Sequence, residues 1–239
     1  MATASAHVAP AVDDNNHYVK LTPLGDRIRL AYTVFFGEVP GASARRTIDA
    51  NADGTIDEAE AHAFGARLAA DVAGKLELDV DGKVQPIRWA TVDVGMGTPE
   101  VAAGAFSVDL VAYACFDAPR GRHRVHVYDR YTPPRPGEAE ASVEDSPGIA
   151  IEHARVGTAE DSSNDFRFAG AGGPLAEDGL DVELVAGPTA AVVPDAACPA
   201  RRETNRRPPY GVLGALAGAI ALGGASWILL RRRRRTRDA

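Results

Sequence analysis

Twelve consecutive residues constrain this chain more than any other stretch. Asp49-Ala50-Asn51-Ala52-Asp53-Gly54-Thr55-Ile56-Asp57-Glu58-Ala59-Glu60 puts Asp, Asn and Asp at its first, third and fifth positions. Glycine follows at the sixth, Asp at the ninth and Glu at the twelfth. Asp and Asn favour turns, and Gly54 can take a positive φ at little cost, so this stretch reads as a tight loop. Both flanks are helical. Residues 42–48 form a short helix into the loop. Beyond it Phe64, Leu68 and Val72 recur every four residues, which gives a second helix one apolar face. Gly74 stands where a C-cap belongs, and Gly65 inside this helix is a mild cost.

Calcium is a hard cation that takes six to eight oxygens in a flexible shell. Asp49, Asn51 and Asp53 offer side-chain oxygen, Thr55 its backbone carbonyl, and Asp57 a contact through water. Glu60, in the first turn of the exit helix, can bind through both oxygens. Ile56 points into hydrophobic packing. The twelve residues, with their helical flanks, resemble the EF-hand family, and the resemblance implies calcium (Ca2+) as the ligand. The bland alternative is a solvated Asp/Asn turn between two helices. EF-hands generally work in pairs, and the sequence has no second loop: Asp79-Val80-Asp81-Gly82 holds only a fragment of the pattern. A lone site outside the cytoplasm is expected to be weak, on the order of 10⁻⁴ to 10⁻³ M. That suits a structural ion better than a signalling switch.

Most of the remaining chain reads as strand. His17 to Leu21 and Arg27 to Val34 alternate about a turn at residues 23–26 and predict a hairpin. Leu76, Leu78 and Val80 alternate with Glu77 and Asp79, and Asp81-Gly82 makes a turn. Residues 86–94, 105–115, 123–128, 149–151, 166–168 and 180–185 are further strands. Residues 132–137 break the pattern, and 138–145 read as an acidic connection. Seven to nine short strands predict a mainly β, β-sandwich-like fold with an inserted helix-loop-helix EF-hand at 41–73.

Residues 211–230 are uncharged, and twenty helical residues span roughly 30 Å, the thickness of a bilayer core. Tyr210 and Trp227 lie near the two ends, and Arg231 to Arg235 follow at once. The expectation is one C-terminal transmembrane helix at 210–230, a basic cytoplasmic tail at 231–239 and an N-terminal domain outside the cytoplasm. Residues 186–209 hold five prolines and read as a stalk. Ala4-Ser5-Ala6 has the small-x-small form of a signal-peptidase site, so 1–6 reads as the remnant of a signal peptide and 7–185 as the extracytoplasmic domain. The rival is a tail-anchored cytosolic protein. Gly214 and Gly218 could let two spans pack as a homodimer in the lipid bilayer, or the span could meet another membrane protein.

The chain of 239 residues carries a net charge of −7. Residues 201–239 hold ten arginines against Glu203 and Asp238, which leaves sixteen basic and thirty-one acidic side chains, a charge of −15, in the first 200 residues. That balance argues against nucleic acid as a partner. Cys115 lies in an apolar run and reads as a small buried hydrophobe; a bridge to Cys198 stays open. His7 and His17 flank Asp13 and Asp14, a weak transition-metal pattern near the terminus. His123 and His126, three apart on a strand, face opposite sides and cannot chelate together. His62 and His153 read as surface residues. No Ser-His-Asp order with supporting glycines and no phosphate loop occurs, so the chain reads as a binding or structural module, not an enzyme.

A wider likeness runs through residues 7–185. Gly37-Glu38-Val39-Pro40, the Asp/Asn loop, Leu76 to Gly82, His126-Val127-Tyr128-Asp129-Arg130 and the segment 161–168 follow in an order similar to the extracytoplasmic domain of some bacterial nickel/cobalt permeases. Those proteins continue into several membrane helices, whereas one span is expected here. The likeness therefore implies an accessory or sensing role beside a nickel or cobalt transporter, as the alternative to structural calcium binding.

Overall fold

Alternating apolar residues become strands along most of the chain. The computed structural model describes residues 12–198 apart from 162, 171, 172, 193, 194 and 196. The expected hairpin is present as β1 (Asn15–Pro23) and β2 (Arg27–Phe36), with Asn15 opposite Phe36 and Pro23 opposite Ile28. Helices α1 (Glu38–Ile48) and α2 (Glu58–Ala73) follow. Next come β3 (Leu76–Val80), β4 (Lys83–Gln85), β5 (Trp89–Gly95), β6 (Phe106–Cys115) and β7 (Gly121–Asp129). The chain continues through β8 (Pro136–Val143), β9 (Ile149–Val156), β10 (Ala159–Glu160), β11 (Asp165–Ala169), the short helix α3 (Pro174–Glu177) and β12 (Leu180–Ala186).

The strands form two six-stranded sheets, ordered β11-β8-β1-β2-β6-β5 and β10-β9-β12-β7-β3-β4. The protein is thus mainly β. Helices α1 and α2 lie between β2 of the first sheet and β3 of the second, so they form the first of several crossings between the sheets. One buried cluster draws Ile28, Leu30, Tyr32 and Val34 from the first sheet and Leu78, Val125, Val127, Leu180 and Val182 from the second. Every second residue of β2 and β6 enters it, as a pleated strand requires.

A polar tie crosses this core. The Tyr32 hydroxyl donates to Asp129 Oδ2 at 2.9 Å, and the Tyr131 N–H donates to Oδ1 at 3.0 Å. His17 Nε2 lies 3.2 Å from the same Oδ2. The buried carboxylate therefore has partners on both oxygens, without which its burial would cost several kcal/mol.

Four differences from the sequence expectation have physical causes. First, the described residues hold twelve strands where seven to nine were expected, and β4 and β10, three and two residues long, are too short to show an alternation. Second, the supposed acidic connection is strand β8. Ala139, Ala141 and Val143 are buried while Glu138, Glu140 and Ser142 face outward more, and β8 pairs in parallel with β1. Third, α1 begins at Glu38, because Pro40 falls in the first turn, where a missing N–H removes no helical hydrogen bond. Fourth, the first part of the expected stalk lies on the body. Gly25 N–H donates to the Ala191 carbonyl at 2.7 Å, Arg27 pairs with Asp195 at 2.7 Å, and Cys198 is bonded to Cys115. The expected signal remnant at 1–6, the stalk beyond 198, the expected membrane span at 210–230 with Gly214 and Gly218, and the tail at 231–239 lie outside the described residues. Among the described residues, no helix is long and apolar enough to cross a membrane.

Gly65 explains how α2 is seated. A Cβ there would lie 2.7 Å from Val94 Cγ2 and 3.1 Å from Val92 Cγ1, so glycine lets the helix approach β5 closely. The Trp89 indole N–H donates to the Ala69 carbonyl at 2.8 Å across the same contact. A Gly65→Leu variant is expected to lose about 1–2 kcal/mol: overpacking costs about 1–3, and better helix propensity returns up to about 1. Urea unfolding of both proteins checks this, and an unchanged midpoint would contradict the close approach.

Candidate metal centre

The loop between α1 and α2 is built by its own side chains. Asp49 is the C-cap of α1, and its N–H donates to the Arg45 carbonyl at 3.0 Å. Its carboxylate then turns inward, taking the Asp53 N–H at 3.2 Å on Oδ1 and the Gly54 N–H at 3.0 Å on Oδ2. Asn51 Oδ1 also accepts from the Asp53 N–H, at 2.8 Å. Asp53 Oδ1 accepts the Thr55 hydroxyl at 2.7 Å and the Thr55 N–H at 2.9 Å. These two bonds, the hydroxyl first, hold the Asp53 carboxyl below its ordinary range. The backbone reverses through Ala52 at φ 59° and Gly54 at φ 87°. Nothing lies within 4 Å of a Cβ placed on Gly54, so glycine is needed there for its φ and not for space.

The exit helix closes the loop. Asp57 is its N-cap: Asp57 Oδ1 accepts the Glu60 N–H at 2.8 Å, and Glu60 Oε2 accepts the Asp57 N–H at 3.1 Å. That reciprocal pair is a capping box and needs no ion. Glu60 does more than cap, however. Its other oxygen, Oε1, accepts the Ala50 N–H at 2.8 Å and the Asn51 N–H at 3.2 Å. One carboxylate thus ties the twelfth position to the second and third.

The donor set consists of oxygen alone, which fits a hard cation and not a thiolate- or imidazole-seeking one. Among the described residues, no three His, Cys, Asp or Glu side chains stand together closely enough to chelate a metal as placed. The reason is visible in the hydrogen bonds: the carboxylates of Asp49, Asp53, Asp57 and Glu60 are each turned on to a backbone N–H. Bringing the oxygens round an ion requires side-chain rotation within a loop whose backbone is already closed.

The far side of the loop is held by a segment that the sequence did not single out. Thr55 and Glu100 form an isolated antiparallel bridge. The Ile56 N–H donates to the Pro99 carbonyl at 2.8 Å, and the Val101 N–H donates to the Gly54 carbonyl at 3.1 Å. The residues flanking Thr55 make these bonds, so Thr55 directs its own N–H and C=O away from residues 99–101. Its N–H indeed meets Asp53 inside the loop, which places the seventh-position carbonyl on the loop side. Ile56 is buried in the core, as its apolar character requires.

Arg45 holds that segment. It is fully buried and donates to five carbonyls: Gly104 at 3.0 Å, Thr98 at 2.8 Å, Glu100 at 3.1 Å, Met96 at 2.5 Å and Ala105 at 3.4 Å. Burial lowers its pKa, opposed by the nearby charges of Glu100 and Glu38. Gly41 lies one turn earlier on the same face of α1. A Cβ there would sit only 2.6 Å from the Gly104 carbonyl oxygen, so glycine lets the segment close on the helix. No local pattern marks Arg45 for this role, because its partners lie more than fifty residues away.

The other sequence candidates disperse. His17 is buried against Asp129 and does not join Asp13 and Asp14; His7 lies outside the described residues. His123 points inward, with Nδ1 2.8 Å from Asp81 Oδ2 and Nε2 3.1 Å from the Arg120 carbonyl oxygen. His126 is on the other face, 3.7 Å from Asp181, so the two do not share a ligand. His62 is exposed. Cys115 and Cys198 form a disulfide, with Cα atoms 5.7 Å apart. No protein-family model matches this chain, and no curated protein sequence matches it.

Proposed function

We propose that this chain binds one calcium ion at residues 49–60, in an extracytoplasmic domain anchored by a single membrane span at 210–230. Asp49, Asn51, Asp53 and Glu60 would supply side-chain oxygens, Thr55 its carbonyl, and Asp57 a contact through water. The observation that carries this is the Glu60 carboxylate, which reaches beyond its capping partner to the start of the loop. Capping alone explains the second contact and not the first. The role is structural. The helices on either side of the loop connect the two sheets, so an ion that fixes the loop braces that crossing. The Cys115–Cys198 disulfide independently supports an oxidising compartment, consistent with a domain outside the cytoplasm.

Calorimetric titration of the full chain in mild detergent tests the proposal. Calcium is expected to bind with a Kd on the order of 10⁻⁴ to 10⁻³ M, more tightly than magnesium, and Glu60→Gln is expected to abolish the signal. At ten times Kd, calcium should add about 1.4 kcal/mol of stability, visible as a raised melting temperature. Absence of calcium heat, or full retention by Glu60→Gln, would sink the assignment. Saturable nickel heat in its place would favour the accessory role in nickel or cobalt transport.

A further inference from the structure

We propose that residues 98–101, clamped by Arg45, are the positioning element of the calcium loop, so that ion binding and this clamp are thermodynamically coupled. This rests on the calcium assignment above. The connections form a closed circuit. Arg45 leaves the helix that enters the loop and binds the carbonyls of Thr98 and Glu100. Pro99 and Val101, alternating with those residues, bond to Ile56 and Gly54. Thr55, between Gly54 and Ile56, is thereby forced to present its carbonyl to the loop interior. The segment supplies a fixed edge on the far side of the loop, and none of its side chains is needed as a ligand. Coupling is reciprocal: whatever the clamp contributes to calcium affinity, calcium must return to the clamp. Bound ion therefore slows the opening of residues 98–101, even though they do not touch it.

Two measurements on the full chain in detergent test this. The first is calcium calorimetry on Val101→Pro, which deletes the N–H that bonds to Gly54 and leaves residues 49–60 intact. Its calcium affinity is expected to fall about tenfold, in line with the loss of one hydrogen bond that orients a ligand. The second is amide hydrogen exchange of the wild-type chain. Val101 and Ile56 are expected to exchange at least about tenfold more slowly with saturating calcium than without it. If the wild type binds calcium while Val101→Pro binds equally well and exchange at 56 and 101 is unchanged, the coupling is refuted and the calcium assignment stands. If Val101→Pro does not fold, exchange in the wild type alone decides. If the wild type binds no calcium, the calcium assignment and the coupling both fall, and the wild-type titration alone shows it.

Discussion

Arg45→Met is expected to lower the unfolding free energy by about 3–5 kcal/mol, measured as a shifted urea midpoint with an unchanged slope. Methionine approaches the length of the side chain and keeps its packing against Phe106, over whose ring the guanidinium lies 5.5 Å from the centroid. The loss then reports the polar contacts. Five carbonyls face the guanidinium, and a buried carbonyl left without a donor costs about 1–3 kcal/mol. Full addition would exceed the expected total, because part of the 96–105 segment can move out to meet water. Arg45→Lys keeps the charge but lacks the planar fork, so it should recover less than half of the loss. A loss below about 1 kcal/mol for Arg45→Met would show that the carbonyls are readily hydrated and that the segment is not clamped.

The contrast between Arg45 and Glu60 shows which parts of this molecule are legible in its sequence. The loop, both helices and the β1–β2 hairpin depend on residues within a few turns of one another, and their periods and turn chemistry are local. Asp57 and Glu60 are three apart, so their capping pair follows from spacing alone. Gly54 and the Asp81-Gly82 turn, with φ 55° and 77°, follow from backbone chemistry. Strand β8 was hidden because its buried residues include two alanines, whose small apolar surface is masked by Glu138 and Glu140 in any average over the segment. Its partner β1 lies more than a hundred residues earlier, and no local turn announces the pairing. Arg45 and Asp129 were illegible for a related reason. Each is a polar residue whose burial is tolerable only because distant groups satisfy it, and those groups are assembled by the fold. The apolar alternation of the strands predicts where the core is, and says nothing about the polar ties that cross it.

Removing the Cys115–Cys198 bond, by the double variant Cys115→Ser/Cys198→Ser, is expected to cost about 2–4 kcal/mol. The bridge joins residues 83 apart in sequence, and loop-closure entropy alone for that length amounts to about 4.6 kcal/mol. The expected figure is lower because other contacts hold the same segment without it. Arg27 pairs with both Asp26 and Asp195, and the Cys198 N–H donates to Asp195 Oδ1 at 2.9 Å. That last bond, with the Arg27 contact next, holds the Asp195 carboxyl below its ordinary range. The bridge therefore ties down an end that is already half-fastened. Reductant should lower the urea midpoint of the wild type to that of the double variant and leave the variant unaffected. Amide exchange should rise at Gly25 and at residue 198, whose N–H groups bond to Ala191 and Asp195, while the proposed calcium affinity of the loop at 49–60 should not change, since none of its contacts involves this segment. A loss below about 1 kcal/mol would mean that the ion pair and backbone bonds suffice. The compartment argument gives the same bond a second test. Protein taken directly from cells under thiol-blocking conditions should label at neither cysteine until it is reduced. Labelling at both would place the domain in a reducing environment and favour the tail-anchored topology over the proposed extracytoplasmic one.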